Sequence, residues 1–161
     1  TRPSINIVSG PISIISNFIS NVQQSISNNY KLNTSKIQFC REVVQWTGPI
    51  LRANGVKYYP SISVKYNSSP KYFGVYTYSA NSITIYLKNH KGDLSEICST
   101  VLHEVMHHIQ SKKDREFKKL LNYKKYGYYN NRIEVEARAF EKQYCQMCMI
   151  DLCKKGVISK C

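Results

Sequence analysis

Apolar residues recur at helical spacing in some stretches of this chain and alternate with polar ones in others, and the pattern sketches a plan. Over residues 93–112, Leu94, Ile97, Val101, Leu102, Val105 and Ile109 form one stripe, with Asp93 and Glu96 placed to cap its start. A second stripe of Ile133, Ala137, Phe140, Tyr144 and Met147 predicts a helix over about 132–155. Residues 11–28 carry Ile12, Ile15, Phe18, Ile19, Val22 and Ile26 at the same spacing. The polar face of that N-terminal helix lacks lysine and arginine, which favours packing on the domain over lying on a membrane. A further helix is expected over 34–46, interrupted at Gly48-Pro49, with a shorter turn reaching Asn54-Gly55.

Runs at 61–66, 72–78 and 82–87 alternate as strands should, punctuated by Asn67-Ser68-Ser69-Pro70 and Ser79-Ala80-Asn81, and suggest an antiparallel meander. A lysine-rich helix is expected over 114–123. The plan is α+β: N-terminal helices in 1–55, a small antiparallel or mixed three-stranded sheet in 61–88, and helices over 93–155. No internal repeat or linker divides the 161 residues, so one domain is expected.

Composition narrows the classes. A hydrophobic content of 42% argues against disorder. No apolar run reaches 18 residues, so no transmembrane segment is expected, and the first residues lack the charged-then-apolar order of a signal peptide. The formal charge of +13 is concentrated at Lys112, Lys113, Lys118, Lys119, Lys124 and Lys125. Such density attracts polyanions, a nucleic acid or an anionic surface, and Tyr123, Tyr126, Tyr128 and Tyr129 lie among the last of these lysines where bases could stack. The plainer reading is a solvated basic face. Cys40, Cys98, Cys145, Cys148, Cys153 and Cys161 favour disulfides, with Cys40 to Cys98 the simplest long-range link, over a second metal site or buried thiols. Disulfides suit a secreted or virion-associated protein.

The chemistry lies on the first stripe. His103-Glu104-Val105-Met106-His107 is an HExxH sequence, and residues four apart lie one turn above each other. Two imidazoles can therefore reach one Zn2+ ion, with Glu104 beside them as general base toward a metal-activated water. The bland alternative is a core helix with internally bonded histidines. His108 points away from the pair and suits a surface or supporting role. A catalytic zinc takes three protein ligands and leaves a position for water, so a third donor must come from elsewhere, and an acidic residue near the start of the second stripe would face the first helix.

At Glu134-Val135-Glu136-Ala137-Arg138-Ala139-Phe140 the chain resembles the gluzincin metallopeptidases, in which a second helix supplies a glutamate ligand. The E-x-x-A-x-x-F form is similar to that of lethal-factor-like toxins, phage-repressor-cleaving peptidases and small zincin-like proteins of phages and large viruses. The resemblance covers about 82–145. It implies a minimal zincin fold, Glu134 as the third ligand with Glu136 as runner-up, and Ala137 as the small residue between two close helices. Thermolysin has an aspartate four positions after its ligand glutamate; here Arg138 stands there, so something else must orient the histidines. Related enzymes often place a tyrosine before the ligand helix, which selects Tyr128 among Tyr126, Tyr128 and Tyr129 as oxyanion donor. Zincins commonly bind an extended peptide along an edge strand, and residues 82–88 are the candidate, with an internal strand as the alternative. The expected function is a zinc metalloendopeptidase acting on a peptide or protein. The alternatives are a basic zincin-fold protein that binds nucleic acid or sits in a particle, and a hydrolase of another amide such as one in a cell wall.

Overall fold

A computed structural model describes residues 30–67 and 72–160, and the expected helix over 11–28 lies outside them. Elements follow in the order β1 (Tyr30–Leu32), α1 (Lys36–Trp46), α2 (Gly48–Ala53), β2 (Ser61–Lys65), β3 (Gly74–Thr77) and β4 (Ser82–Tyr86). A short 3-10 turn (Leu87–His90) leads to α3 (Leu94–Lys113), α4 (Phe117–Leu120), α5 (Tyr123–Tyr126), α6 (Arg132–Lys155) and β5 (Ile158–Lys160). The fold is α+β, as the alternation of periods implied.

The sheet is mixed, in the order β2-β4-β3. β3 and β4 form the expected hairpin through a turn in which Asn81 takes a left-handed φ of 49°, a conformation asparagine tolerates. β2, however, runs parallel to β4 and not beside β3, so the three strands are no meander. The candidate edge strand at 82–88 is likewise corrected. β4 is the internal strand, with its backbone bonded on both sides and Ile83 and Ile85 fully buried, and the free edge on the helix side of the hairpin belongs to β3. Gly74 opens β3 against α3. A side chain there would place its Cβ 2.8 Å from Thr100 Cγ2 and 3.1 Å from Ile85 Cδ1, so only glycine lets this edge approach the helix so closely.

α3 begins where the cap predicted. The Asp93 carboxylate accepts from Ser95 N–H at 2.9 Å and Glu96 N–H at 3.3 Å, supplying partners to two of the helix's orphan donors. Asp93→Ala is expected to cost about 1 kcal/mol, read as a lower urea midpoint with an unchanged slope. α1 is capped likewise by Ser35, whose hydroxyl accepts from Gln38 N–H at 3.2 Å. The Gly48-Pro49 interruption starts a new helix, α2, because proline tolerates a helix's first turn.

α6 packs along α3 with Ala137 and Phe140 in the common core and is pinned at both ends. Near its start Arg132 forks onto the Asp114 carboxylate at the end of α3. Toward its other end Asp151 accepts from the Trp46 indole at 2.8 Å and Lys155 meets Glu42 at 2.7 Å, both on α1. In place of one lysine-rich helix at 114–123 there are two single turns, α4 and α5, separated at Asn122, whose backbone leaves the helical region and whose side chain accepts from Lys125 N–H at 3.2 Å to start α5. β1 and β5 close a second, two-stranded antiparallel sheet that the pattern of positions did not announce.

The five described cysteines, Cys40, Cys98, Cys145, Cys148 and Cys153, are free thiols, so the disulfide expectation, including Cys40 with Cys98, is not met among them. Cys40, Cys98 and Cys148 are fully buried in the core and serve as small apolar side chains there. His108 is corrected as well. It is buried, with Nδ1 3.0 Å from the Tyr76 hydroxyl and Nε2 2.9 Å from the Tyr58 carbonyl, and so ties α3 to β3 and to the approach of β2. Among the described residues no helix is long and apolar enough to cross a membrane.

Candidate metal centre

His103 and His107 stand one turn apart on α3 with ring centroids 4.9 Å from each other. Glu134, in the first turn of α6, sets one carboxylate oxygen against each. Oε1 lies 3.0 Å from His103 Nε2 and Oε2 lies 2.9 Å from His107 Nε2. Among the described residues, His103, His107 and Glu134 form the group of histidine, cysteine and acidic side chains able to hold a metal ion, their donor atoms all within 4.8 Å of one another. In a tetrahedral zinc site adjacent donors sit about 3.3 Å apart, as bond lengths near 2.0–2.1 Å dictate, and the two distances from Glu134 to the imidazoles are within a few tenths of an ångström of that spacing.

What orients the imidazoles is now visible. His103 Nδ1 lies 3.1 Å from Glu141 Oε2, and His107 Nδ1 lies 2.8 Å from Gln110 Oε1. The Gln110 amide is itself fixed, since its Nε2 donates to the Ile133 carbonyl at 2.9 Å and to Glu136 at 3.1 Å. Each Nδ1 therefore donates to its oxygen partner, and in the metal-free protein each Nε2 also carries a proton toward Glu134; loss of that second proton leaves the Nδ1–H tautomer that metal binding requires. Glu136, the runner-up ligand, meets Gln110 and Arg132 and not the histidines. Glu141→Gln and Gln110→Ala are each expected to weaken metal affinity about 10- to 100-fold without unfolding the chain, read by competition with a chromophoric chelator.

The electrostatics of the group suit a cation. Burial alone would lower the His103 pKa, but the Glu134 and Glu141 carboxylates outweigh it and raise the imidazole to about 10. His107 shifts upward for the same balance of burial against Glu134 and Glu104. Glu134, despite burial, is held well below the ordinary carboxylate range by the two imidazoles. The cluster thus favours two protons where one divalent ion would serve.

Glu104 stays out of this ligand set. Burial raises its pKa, the facing histidines only partly opposing, and its Oε2 has no hydrogen-bond partner although it is buried. A buried carboxylate oxygen left unpaired beside three convergent donors is the mark of a site built for something more than these side chains. The residues fit a metal ion.

An open cleft of about 300 Å³ leads to His103 and Glu104, bounded by Phe73 and Gly74 before and at β3, Thr100 on α3, and Tyr128, Tyr129 and Arg138 on the other wall. Tyr128 is there, as expected. Burial and then Glu134 push its phenol up to about 12. A second tyrosine also meets Glu134: Tyr123 OH donates to Oε2 at 2.7 Å and packs edge-on against Tyr128, 5.1 Å between centroids. Sequence reading brought His103, Glu104, His107, Glu134 and Tyr128 to one place and missed Glu141, Gln110 and Tyr123. Glu141 lies two turns beyond Glu134 and Gln110 three residues beyond His107, spacings that a search for supporting residues would have picked up. Tyr123 carried no such signal among 13 tyrosines.

Comparison of the chain with protein-family models, with curated proteins and with solved structures finds no match.

Proposed function

We propose that the protein is a zinc-dependent metallopeptidase of gluzincin type that hydrolyses a peptide or protein. The reading rests on one observation above the rest: Glu134 spans the Nε2 atoms of His103 and His107 while Glu104, buried and with an oxygen unpartnered, lines the same cleft as His103. Two imidazoles and a carboxylate suit zinc among common divalent ions, and zinc held by them supplies Lewis acidity and acidifies water. A purely structural site has no use for Glu104.

The chain's residues divide the remaining work. Glu104 accepts the proton of the attacking water and hands it to the leaving amine, and its raised pKa brings it closer to neutrality, where such exchange is most efficient. Tyr128 keeps its proton at neutral pH and donates toward the developing oxyanion. Glu141 and Gln110 hold the imidazoles in register. An extended peptide lies along β3, the edge that borders the cleft. The test pairs metal analysis of the purified full chain with a quenched-fluorescent peptide library. One zinc per chain and cleavage that stops on chelation and returns with zinc are expected; a chain that takes up no divalent ion ends the proposal.

A second reading has one observation in its favour. Lys118 sits over the Tyr78 ring, and Lys119 and Lys125 over that of Tyr126, at 5.4–5.6 Å, so lysine and aromatic surface alternate along α4 and α5. Lys112 and Lys113, by contrast, are engaged by Asn81 and Asn54. If this strip binds polyanions, retention on heparin falls steeply with salt, and replacing Lys118, Lys119 and Lys125 by Gln flattens the slope by about three units at most.

A further inference from the structure

Glu134, Arg138 and Glu141 follow one another on α6 at intervals of about one turn, and Arg138 and Glu141 line the cleft that leads to His103 and Glu104. Two of them have clear tasks. Glu134 spans the two Nε2 atoms, and Glu141 turns its carboxylate to His103 Nδ1. Arg138, roughly 6 Å along the helix from Glu134, lies between them and does neither.

The Arg138 side chain is half-buried and held in place. Its guanidinium stacks 4.3 Å from the centroid of the Tyr129 ring, and Nη2 donates to the Tyr129 carbonyl. A guanidinium has five N–H donors in a planar fork, so this anchorage leaves most of them for another partner. Among the described residues no carboxylate lies within ion-pair distance of Arg138. Of the two acids that line the same cleft, Glu141 is aligned on His103 and Glu104 makes no ion pair with Arg138, and Tyr72, Phe73, Gly74 and Thr100 carry no charge. Most surface arginines wander and pair with what passes. This one is stacked, oriented and unneutralised at the mouth of the site that holds Glu104.

We infer that Arg138 is a specificity-determining residue: its fork binds a carboxylate of the substrate close to the bond that is cut, either an aspartate or glutamate side chain or a free chain terminus. The inference rests on the hydrolytic reading for the word substrate, but not for the binding itself. A stacked guanidinium recognises a carboxylate through paired, charge-assisted hydrogen bonds, which a lysine in its place would reproduce only in part.

The probes are dipeptides tipped with a hydroxamate, a group that chelates zinc and so anchors each probe without knowledge of the true substrate. They come in pairs, Asp against Asn, Glu against Gln, and free carboxylate against terminal amide. With the zinc-loaded full chain, one pair is expected to favour the acid on the order of tenfold, and which pair does so separates side chain from terminus. Arg138→Gln brings that ratio to about one, Arg138→Lys restores part of it, and Arg138→Glu inverts it toward a lysine-bearing probe. A second arm needs no metal. Titration of the metal-free protein with N-acetyl-aspartate amide is expected to shift the Arg138 Nε–H resonance, and the asparagine analogue is not.

Were Arg138 only a brace for the Tyr129 loop, Arg138→Gln would lower the melting temperature and leave the acid-to-amide ratio unchanged. That result, or a wild-type ratio near one together with an unmoved Nε–H resonance, overturns the inference. Probes that read Arg138 on a protein that cuts no peptide would instead retire the peptidase reading and leave the carboxylate site standing.

Discussion

Glu104→Gln is expected to leave zinc content at one ion per chain and to lower kcat on the best library peptide about 10²–10⁴-fold, the usual contribution of a general base. The substitution keeps the shape of the side chain and removes only its charge and its capacity to take a proton. In the metal-free protein the same change is expected to stabilise the fold. Burial raises the Glu104 pKa, so the folded state holds that proton more tightly than the unfolded chain does. The sign follows from linkage: a carboxylate whose pKa rises on folding costs stability as pH climbs through and above its ordinary value. Above the ordinary carboxylate range, therefore, the metal-free Gln variant should melt at a higher temperature than the wild type while being inactive when loaded. Loss of activity with gain of stability is what a side chain retained for chemistry predicts. Equal turnover by variant and wild type would remove Glu104 from the mechanism.

Glu134→Ala is expected to lower zinc affinity by more than the 10- to 100-fold assigned to the supporting residues, because it deletes a donor outright. It also strips two buried imidazoles of their shared carboxylate, and breaking such a buried pair costs about 3–5 kcal/mol. This second loss has a pH signature in the metal-free protein. His103 has a folded pKa raised to about 10, so its contribution is complete below the ordinary histidine value and disappears as pH rises through 10. Glu134 has a lowered pKa, so its contribution is present above the ordinary carboxylate range and fades only as strong acid protonates it. Between those limits the difference in unfolding free energy between wild type and Glu134→Ala is expected to be flat near pH 5–6 and to shrink toward pH 10. Zinc must displace the same protons. A calorimetric titration at pH 7 in two buffers of different ionisation enthalpy should therefore report proton release on zinc uptake, with apparent affinity increasing from neutral toward alkaline pH. Absence of proton release would mean that the imidazoles are already neutral before the ion arrives.

Much of this site was legible because it depends on helical geometry, which is local. The four-residue interval between His103 and His107 puts both rings on one face in any α-helix, and Asp93 marks where that helix begins. The spacing of Ile133, Ala137 and Phe140 likewise set an acidic residue near the start of α6 toward α3, the resemblance of the E-x-x-A-x-x-F segment chose Glu134 over Glu136, and the structure puts Glu134 against both imidazoles. Strand partners were another matter. Residues 82–86 alternate as an edge strand would, yet β4 lies in the middle, because whether a strand's second edge is covered depends on where β2 returns, some twenty residues away in sequence. The lysine-rich turns were overextended into one helix for a different, local reason: Asn122 leaves the helical region and caps α5, which breaks the run after Leu121.

From residue order alone came the α+β plan, the capped helix with its two imidazoles, and the second helix with an acidic residue near its start, since each follows from periodicities of 3.6 and 2 that neighbours in the chain impose on one another. Only the folded packing of α6 on α3 decided that Glu134 touches both Nε2 atoms, that Glu141 and Gln110 hold the rings, and that Arg138, stacked on Tyr129, lines an open cleft with no carboxylate among the described residues at ion-pair distance. Contacts between helices thirty residues apart depend on how two surfaces fill each other's space, and no local periodicity encodes that.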